Sequence, residues 1–237
     1  MMNLKETATR LNERFMGADP QEAVTWFVQH YGRKAALSSS LSYEDQAVTA
    51  MMCRADKKLA RVFTLDTGRQ FPEFYHLLDR TQAALGISIE VFFPDFRRVQ
   101  EMVREHGVNL FYESVELRHL CCQVRKVEPL KRALEGTEVW ITGLRRSQSV
   151  TRTDMQMVEF DEADGLLKFN PLILWSEEQV KDYVRDNGIP YNPLHDKGFP
   201  SIGCQPCTRA IKEGEDIRAG RWWWENPDHR ECGLHSR

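Results

Sequence analysis

Five of the six cysteines stand where their spacing could do chemistry. Cys204 and Cys207 form a Cys-x-x-Cys pair, half of a four-thiolate site, and the adjacent Cys121 and Cys122 supply the other half. Four thiolates suit tetrahedral zinc or an iron–sulfur cluster. Two neighbouring cysteines reach one small ion only with backbone strain, whereas a cubane spreads its corner irons more widely. A thioredoxin-type redox pair is a third use of Cys-x-x-Cys, but that motif opens a helix beside a strand. Here Cys204 follows Pro200 and Gly203 in an irregular stretch. Cys232 is left over in Glu231-Cys-Gly-Leu-His235, a lone thiol on a polar tail behind several arginines. Cys53, in an apolar helix over residues 47–53, reads as a buried small hydrophobe.

A second group of residues suits an anion. Ser38-Ser-Ser-Leu-Ser42 stands where a strand turns into a helix, and such a terminus offers backbone N–H groups and a positive dipole end. Serine is also a preferred N-cap, so plain capping explains part of this pattern. Arg209, Lys212, Arg218 and Arg221 form a basic cluster ahead of three consecutive tryptophans, Trp222 to Trp224, which read as packing at the base of the tail. The net charge is only −3, with no long basic stripe, and this disfavours a zinc-stabilised nucleic-acid-binding protein.

The elements that must position these groups follow from periodicity. Helical spacing covers residues 4–16 and 21–31, with Asp19-Pro20 as cap and first turn of the second. Strands at 34–37, 61–65, 87–93 and 139–142 alternate with helices at 45–54, 71–85, 96–105 and from 121 to about 134. That alternation predicts an α/β fold with an open, mostly parallel twisted sheet flanked by helices. Ligands of such sheets bind beyond the carboxyl ends of the strands, where Ser38–Ser42, Leu65-Asp-Thr-Gly68 and the loop from Gly143 to Arg152 all fall. One crevice is expected to pool them. The organisation expected is N-terminal helices (1–31), a nucleotide-binding α/β part (32–190) and an irregular C-terminal segment (191–237), in one compact domain. No run of about 18 apolar residues suggests a membrane span, and the N-terminus does not read as a signal peptide. A cytoplasmic location is expected, where six cysteines serve as ligands or reactive thiols rather than disulfides.

The serine loop resembles the Ser-Gly-Gly-x-Asp-Ser pyrophosphate loop of the adenine-nucleotide alpha-hydrolases, with Ser39 and Ser40 in place of the glycines. Serine leaves less room than glycine, which argues against an ATP pyrophosphatase and suits a smaller nucleotide. Taken in order, Ser38–Ser42, Leu65-Asp-Thr-Gly68, Cys121-Cys-x-x-Arg-Lys-Val-x-Pro-Leu130, Thr142-Gly-Leu-Arg-Arg146 and Glu231-Cys-Gly-Leu-His235 resemble the sulfonucleotide reductases of assimilatory sulfate reduction, from about Gly32 onward. Members with both cysteine pairs reduce adenosine 5′-phosphosulfate (APS) and carry one [4Fe–4S] cluster per chain. Members specific for 3′-phosphoadenosine 5′-phosphosulfate (PAPS) generally lack the pairs; a PAPS reductase that kept them is the alternative.

The resemblance implies that Cys121, Cys122, Cys204 and Cys207 hold the cluster and that Cys232 is the nucleophile, forming an S-sulfocysteine that thioredoxin or glutaredoxin reduces. It implies Lys126, Arg145, Arg152, Arg218 and Arg221 as cations for the phosphosulfate, with His235 assisting near the thiol. Ser38, Ser40, Ser42, Leu65, Thr67 and Gly143 would line the adenine, ribose and phosphate. Members often have Gln where Leu144 stands and Asp where Ser147 stands, so side-chain contacts there are expected to differ. No thioredoxin-like segment is present, so an external reductant is expected, unlike the fused plant form. A dimer or tetramer is expected by the same resemblance.

Overall fold

A computed structural model of the chain describes residues 3–148 and 154–226. Cys232, His235 and Arg152 lie outside them.

The residues divide into two compact units interleaved along the chain: 1–64, 76–90 and 134–191 in the first, and 65–75, 91–133 and 192–237 in the second. The C-terminal segment thus shares a unit with the Cys121–Cys122 region, and the N-terminal helices share one with the serine loop.

Helix α1 (Leu4–Phe15) and α2 (Pro20–Tyr31) precede strand β1 (Ala35–Ser38). Asp19 accepts from the N–H groups of Gln21 and Glu22, as the Asp-Pro signal predicts. Helix α3 (Tyr43–Asp56) is capped by Ser42 and is followed by β2 (Arg61–Leu65), α4 (Pro72–Leu85) and β3 (Glu90–Phe92). After α5 (Phe96–His106), α6 (Val115–Cys122) and α7 (Glu128–Ala133) come β4 (Val139–Ile141), β5 (Val158–Asp161), β6 (Leu166–Phe169) and α8 (Glu177–Asp186).

The six strands form one sheet in the order β3-β2-β1-β4-β6-β5. Strand β1 runs parallel to β2 and β4, β4 runs parallel to β6, and β5 pairs antiparallel with β6. The α/β expectation therefore holds, as a mixed, mostly parallel sheet. Its central strands are apolar on both faces, with Ala35, Ala36, Leu37, Val139 and Ile141 all fully covered, as helices on both sides require. Successive strands leave β1 towards β2 on one side and towards β4 on the other. The switch point lies beyond Ser38 and Ile141, which end neighbouring strands in register Leu37↔Ile141.

Two features differ from expectation. A hairpin, β5 to β6, and helix α8 occupy 158–186, which periodicity left unassigned. The helix expected from Cys121 to Leu134 starts earlier, at Val115, and is interrupted. Residues Gln123–Val127 form a π turn, in which the Glu128 N–H reaches back to the Gln123 carbonyl. Pro129 supplies the reason: with no N–H of its own, it cannot bond the carbonyl of residue 125.

A four-cysteine pocket and a serine loop

The second unit gathers its cysteines. Cys121 and Cys122 end α6, and Cys204 caps the short turn Gln205–Cys207, which Cys207 ends. All four line one cavity, together with Arg69, Arg118, Arg125, Lys126, Arg221 and Trp222. The π turn carries Arg125 and Lys126 to the same wall as the first cysteine pair. Cys121 and Cys207 are buried, while Cys122 and Cys204 are half-buried.

Local hydrogen bonds fix this pocket. Thr67 Oγ lies 3.2 Å from the Cys204 sulfur, and the Thr67 carbonyl accepts from Arg125 Nη1 at 2.6 Å. The Gln205 N–H donates to the Arg69 carbonyl at 2.8 Å, and Tyr112 donates to the Pro206 carbonyl at 2.8 Å. Further on, the chain folds back so that the Trp222 N–H donates to the Cys207 carbonyl at 3.2 Å. That return needs Gly220, because a Cβ there would stand 2.3 Å from the Arg209 carbonyl oxygen. Arg118 lies fully buried at the base, bonded through Nε and Nη2 to the two carboxylate oxygens of Glu225 at 2.9 Å each and stacked on the Trp222 ring.

Burial raises the Cys121 thiol, and it pushes Cys207 up to about 12 with help from neighbouring Cys204, while Lys126 and Arg221 pull the other way. Thiols so placed keep their protons until a metal takes them as thiolates. Among the described residues no three His, Cys, Asp or Glu side chains converge closely enough to hold a single ion. Four thiols around a common, cation-walled cavity are the donor set of an anionic polynuclear centre, and in that sense the residues fit an iron–sulfur cluster.

The first unit builds the serine loop. The Ser38 hydroxyl accepts from the Trp140 indole N–H at 2.7 Å. The Ser40 N–H and hydroxyl both donate to Asp45 Oδ2, at 2.6 and 2.7 Å, and the Ser42 hydroxyl caps α3 through the Asp45 N–H at 3.3 Å. The Gly143 loop packs on the same turn: a Cβ at Gly143 would stand 2.4 Å from Asp45 Oδ1 and 2.8 Å from Glu44 Cβ. Of the three loops expected to share one crevice, the serine loop and the Gly143 loop pack together within this unit. The third, Leu65–Gly68, belongs to the cysteine-bearing unit, where the Leu65 carbonyl accepts from Gln70 and Thr67 faces Cys204.

Arg145 is only 3 % exposed and its fork is engaged within the protein. Nε and Nη2 bond Glu44 at 2.9 and 2.8 Å, and Nη1 donates to Ser147 at 2.6 Å. Ser147 is thus a partner of Arg145 here, and Leu144 is buried at 7 % exposure. Lys126 and Arg218 are half-buried, and Arg221 is buried beside Trp222. The residues that sequence reading passed over are Asp45, Glu44, Arg69, Arg118, Arg125 and Glu225. Only the acidic pair in the first turn of α3 carried a local signal, since carboxylates sit well at a helix N-terminus.

Residues 34–210 match the family described as phosphoadenosine phosphosulfate reductase domain. The chain is 50 % identical over 200 residues to an adenosine 5′-phosphosulfate reductase of Allochromatium vinosum, covering 84 % of this chain and 78 % of that one. To the protein of that name from Sinorhizobium fredii strain NBRC 101917 it is 47 % identical over 233 residues, covering 98 % and 92 %. Among solved structures, phosphoadenylyl-sulfate reductase from Candida auris, a phosphate complex, superposes with TM-score 0.75 at 27 % identity, over 89 % of this chain and 99 % of that one. Yeast FAD synthetase, at TM-score 0.55 and 12 % identity over 88 % and 77 % of the chains, shares the fold alone. On the extent of these matches, the chain belongs to the phosphoadenosine phosphosulfate reductase family.

Proposed function

We propose that the chain reduces adenosine 5′-phosphosulfate to sulfite and AMP, in assimilatory sulfate reduction. The observation that carries this reading is the convergence of Cys121, Cys122, Cys204 and Cys207 on one cavity walled by cations, in a chain half identical to proteins named for that reaction. PAPS reductase is the second reading, favoured by the Candida auris structure.

In this reading the four cysteines hold a [4Fe–4S] cluster, one per chain, which supplies a fixed charge and ties the two cysteine segments together. Arg69, Arg125, Lys126 and Arg221 line its cavity and favour the thiolate form of its ligands, while Arg118, neutralised by Glu225, holds the base of the pocket. Lys126, Arg218 and Arg221, with Arg152, neutralise the phosphosulfate, whose leaving group gains charge in the transition state. The serine loop, Leu65, Thr67 and the Gly143 backbone receive the nucleotide, while Arg145, neutralised by Glu44, holds the loop in place.

Cys232 attacks as a thiolate, its ionisation favoured by nearby positive charge that includes His235. Its sulfur bonds to the sulfur of APS, the bond from that sulfur to the bridging phosphate oxygen breaks, and AMP leaves with the electron pair. A thioredoxin or glutaredoxin thiolate then attacks the Cys232 sulfur, expels sulfite and forms a mixed disulfide, which its second thiol resolves. Among the described residues no helix is long and apolar enough to cross a membrane, and the reaction suits a reducing cytoplasm. A homo-oligomer remains part of the proposal.

The test is intact-mass analysis after adding APS without reductant. The chain gains one sulfonate group, the Cys232→Ser variant gains none, and thioredoxin removes the adduct with release of sulfite. An adduct on the Cys232→Ser variant, or none on the iron-loaded wild type, counts against the reading.

A further inference from the structure

The unit that gathers the cysteines also exposes apolar side chains that the fold holds still. Val108 is 54 % exposed, Tyr112 44 % and Trp223 37 %, although Leu110 and Phe111, between the first two, are buried in the core that includes Cys121 and Cys207. The Tyr112 ring lies 6.4 Å from that of Trp223 and meets Trp224 edge-on at 4.4 Å, and Trp224 packs on the same core. Hydrogen bonds fix the patch from below. The Arg69 fork donates to the Val108 carbonyl at 3.3 Å and to the Asn109 side chain at 2.8 Å, and the Tyr112 hydroxyl donates to the Pro206 carbonyl at 2.8 Å. Large apolar side chains left in water in a fixed arrangement mark an interaction surface, because a partner that covers them has little left to order.

The place of the patch along the chain says what covers it. Trp223 precedes Cys232 by nine residues (223 to 232), and nine residues span at most about 30 Å. A protein of about 100 residues has a radius of gyration of about 13 Å, so its width is comparable to that whole reach. Whatever protein discharges Cys232 therefore works within about one molecular width of Trp223. A second copy of this chain fits less well, since a stable dimer takes roughly 20–30 residues a side, whereas a few side chains suit a transient redox encounter of under about 1,200 Å². Tyrosine and tryptophan are also the residues that most often anchor an interface.

We propose that Val108, Tyr112 and Trp223 form the docking face for the dithiol protein that reduces the Cys232 adduct. This rests on the reading of the chain as an APS reductase and adds to it where the reductant lands.

The experiment forms the S-sulfo adduct on the full-length, iron-loaded chain with APS alone, then follows its discharge by thioredoxin and, separately, by dithiothreitol. Wild type, Val108→Glu, Val108→Ile and Trp223→Ser are compared. The Glu and Ser variants are expected to form the adduct, and to lose it to dithiothreitol, at the wild-type rate, while discharge by limiting thioredoxin slows at least about tenfold. Val108→Ile keeps the wild-type rate throughout. Discharge by thioredoxin that does not slow, or slows equally with dithiothreitol, overturns the proposal. Slower adduct formation in folded variants assigns the face to the chain's own tail, and altered sedimentation with unchanged discharge assigns it to a second copy; either result overturns it. Should Val108→Glu not fold, Trp223→Ser decides. A wild type that forms no adduct counts against the APS reading itself, and the docking face falls with it.

Discussion

Arg118 and Glu225 are 107 residues apart in sequence and meet with side chains 0 % and 4 % exposed. Removing one partner of such a pair strands a buried charge, so Glu225→Leu is expected to cost about 3–5 kcal/mol, while Arg118→Met with Glu225→Leu costs much less. Thermal melting of the three proteins checks this; equal losses in single and double variants contradict it. Asp45 adds a pH signature. Burial raises its carboxyl from 3.8 to about 6, against the pull of the Ser40 hydrogen bonds and aided by the charge of Glu44. A folded pKa above the unfolded value means that this group's stabilising contribution is present at low pH and is lost as pH rises through about 6. The melting temperature of wild type should therefore fall relative to Asp45→Asn between pH 4.5 and 7.5, and a constant difference would contradict it. At this scale the cysteines were legible because thiol chemistry is tied to residue type and short spacing. Arg118 and Glu225 were not, because each gains its meaning from a partner about a hundred residues away.

The elements were legible where periodicity was clean, as in α2, α3 and the β1, β2 and β4 strands. The β5–β6 hairpin was missed although Asp164-Gly165 between two apolar runs is a hairpin turn signal, with Gly165 at φ 67°. Helix α8 also carried a readable signature, the capping box of Ser176 and Gln179. The π turn is different in kind, since nothing in the helical spacing of residues 121–134 marks it except Pro129. The return of the chain at Gly220 is the element whose failure should be felt most in the cysteine pocket. Its Cβ would strike backbone, which cannot rotate away, and the Thr208↔Arg221 bridge stands beside it. Gly220→Ala is expected to cost about 1–3 kcal/mol and to lower iron retained per chain after aerobic handling, read by metal analysis. Full iron content with an unchanged melting point would contradict that role.

For the whole molecule, the interleaving of two compact units puts residues 65–75, 91–133 and 192–237 together, an arrangement that no linear division of the chain suggests. The family was nevertheless legible, because its motifs are short, ordered and chemically specific, and residues 34–210 bear it out. What sequence could not supply was the state of each charged group: Arg145, expected to face the phosphosulfate, is neutralised by Glu44 at the head of α3. The central claim is that this chain reduces APS through Cys232. Anaerobic turnover of purified protein with APS and with PAPS, using thioredoxin and scoring sulfite, tests it beside the Cys232→Ser variant. The account predicts strong preference for APS and no sulfite from the variant; PAPS used as well or better, or a variant that still releases sulfite, would contradict it.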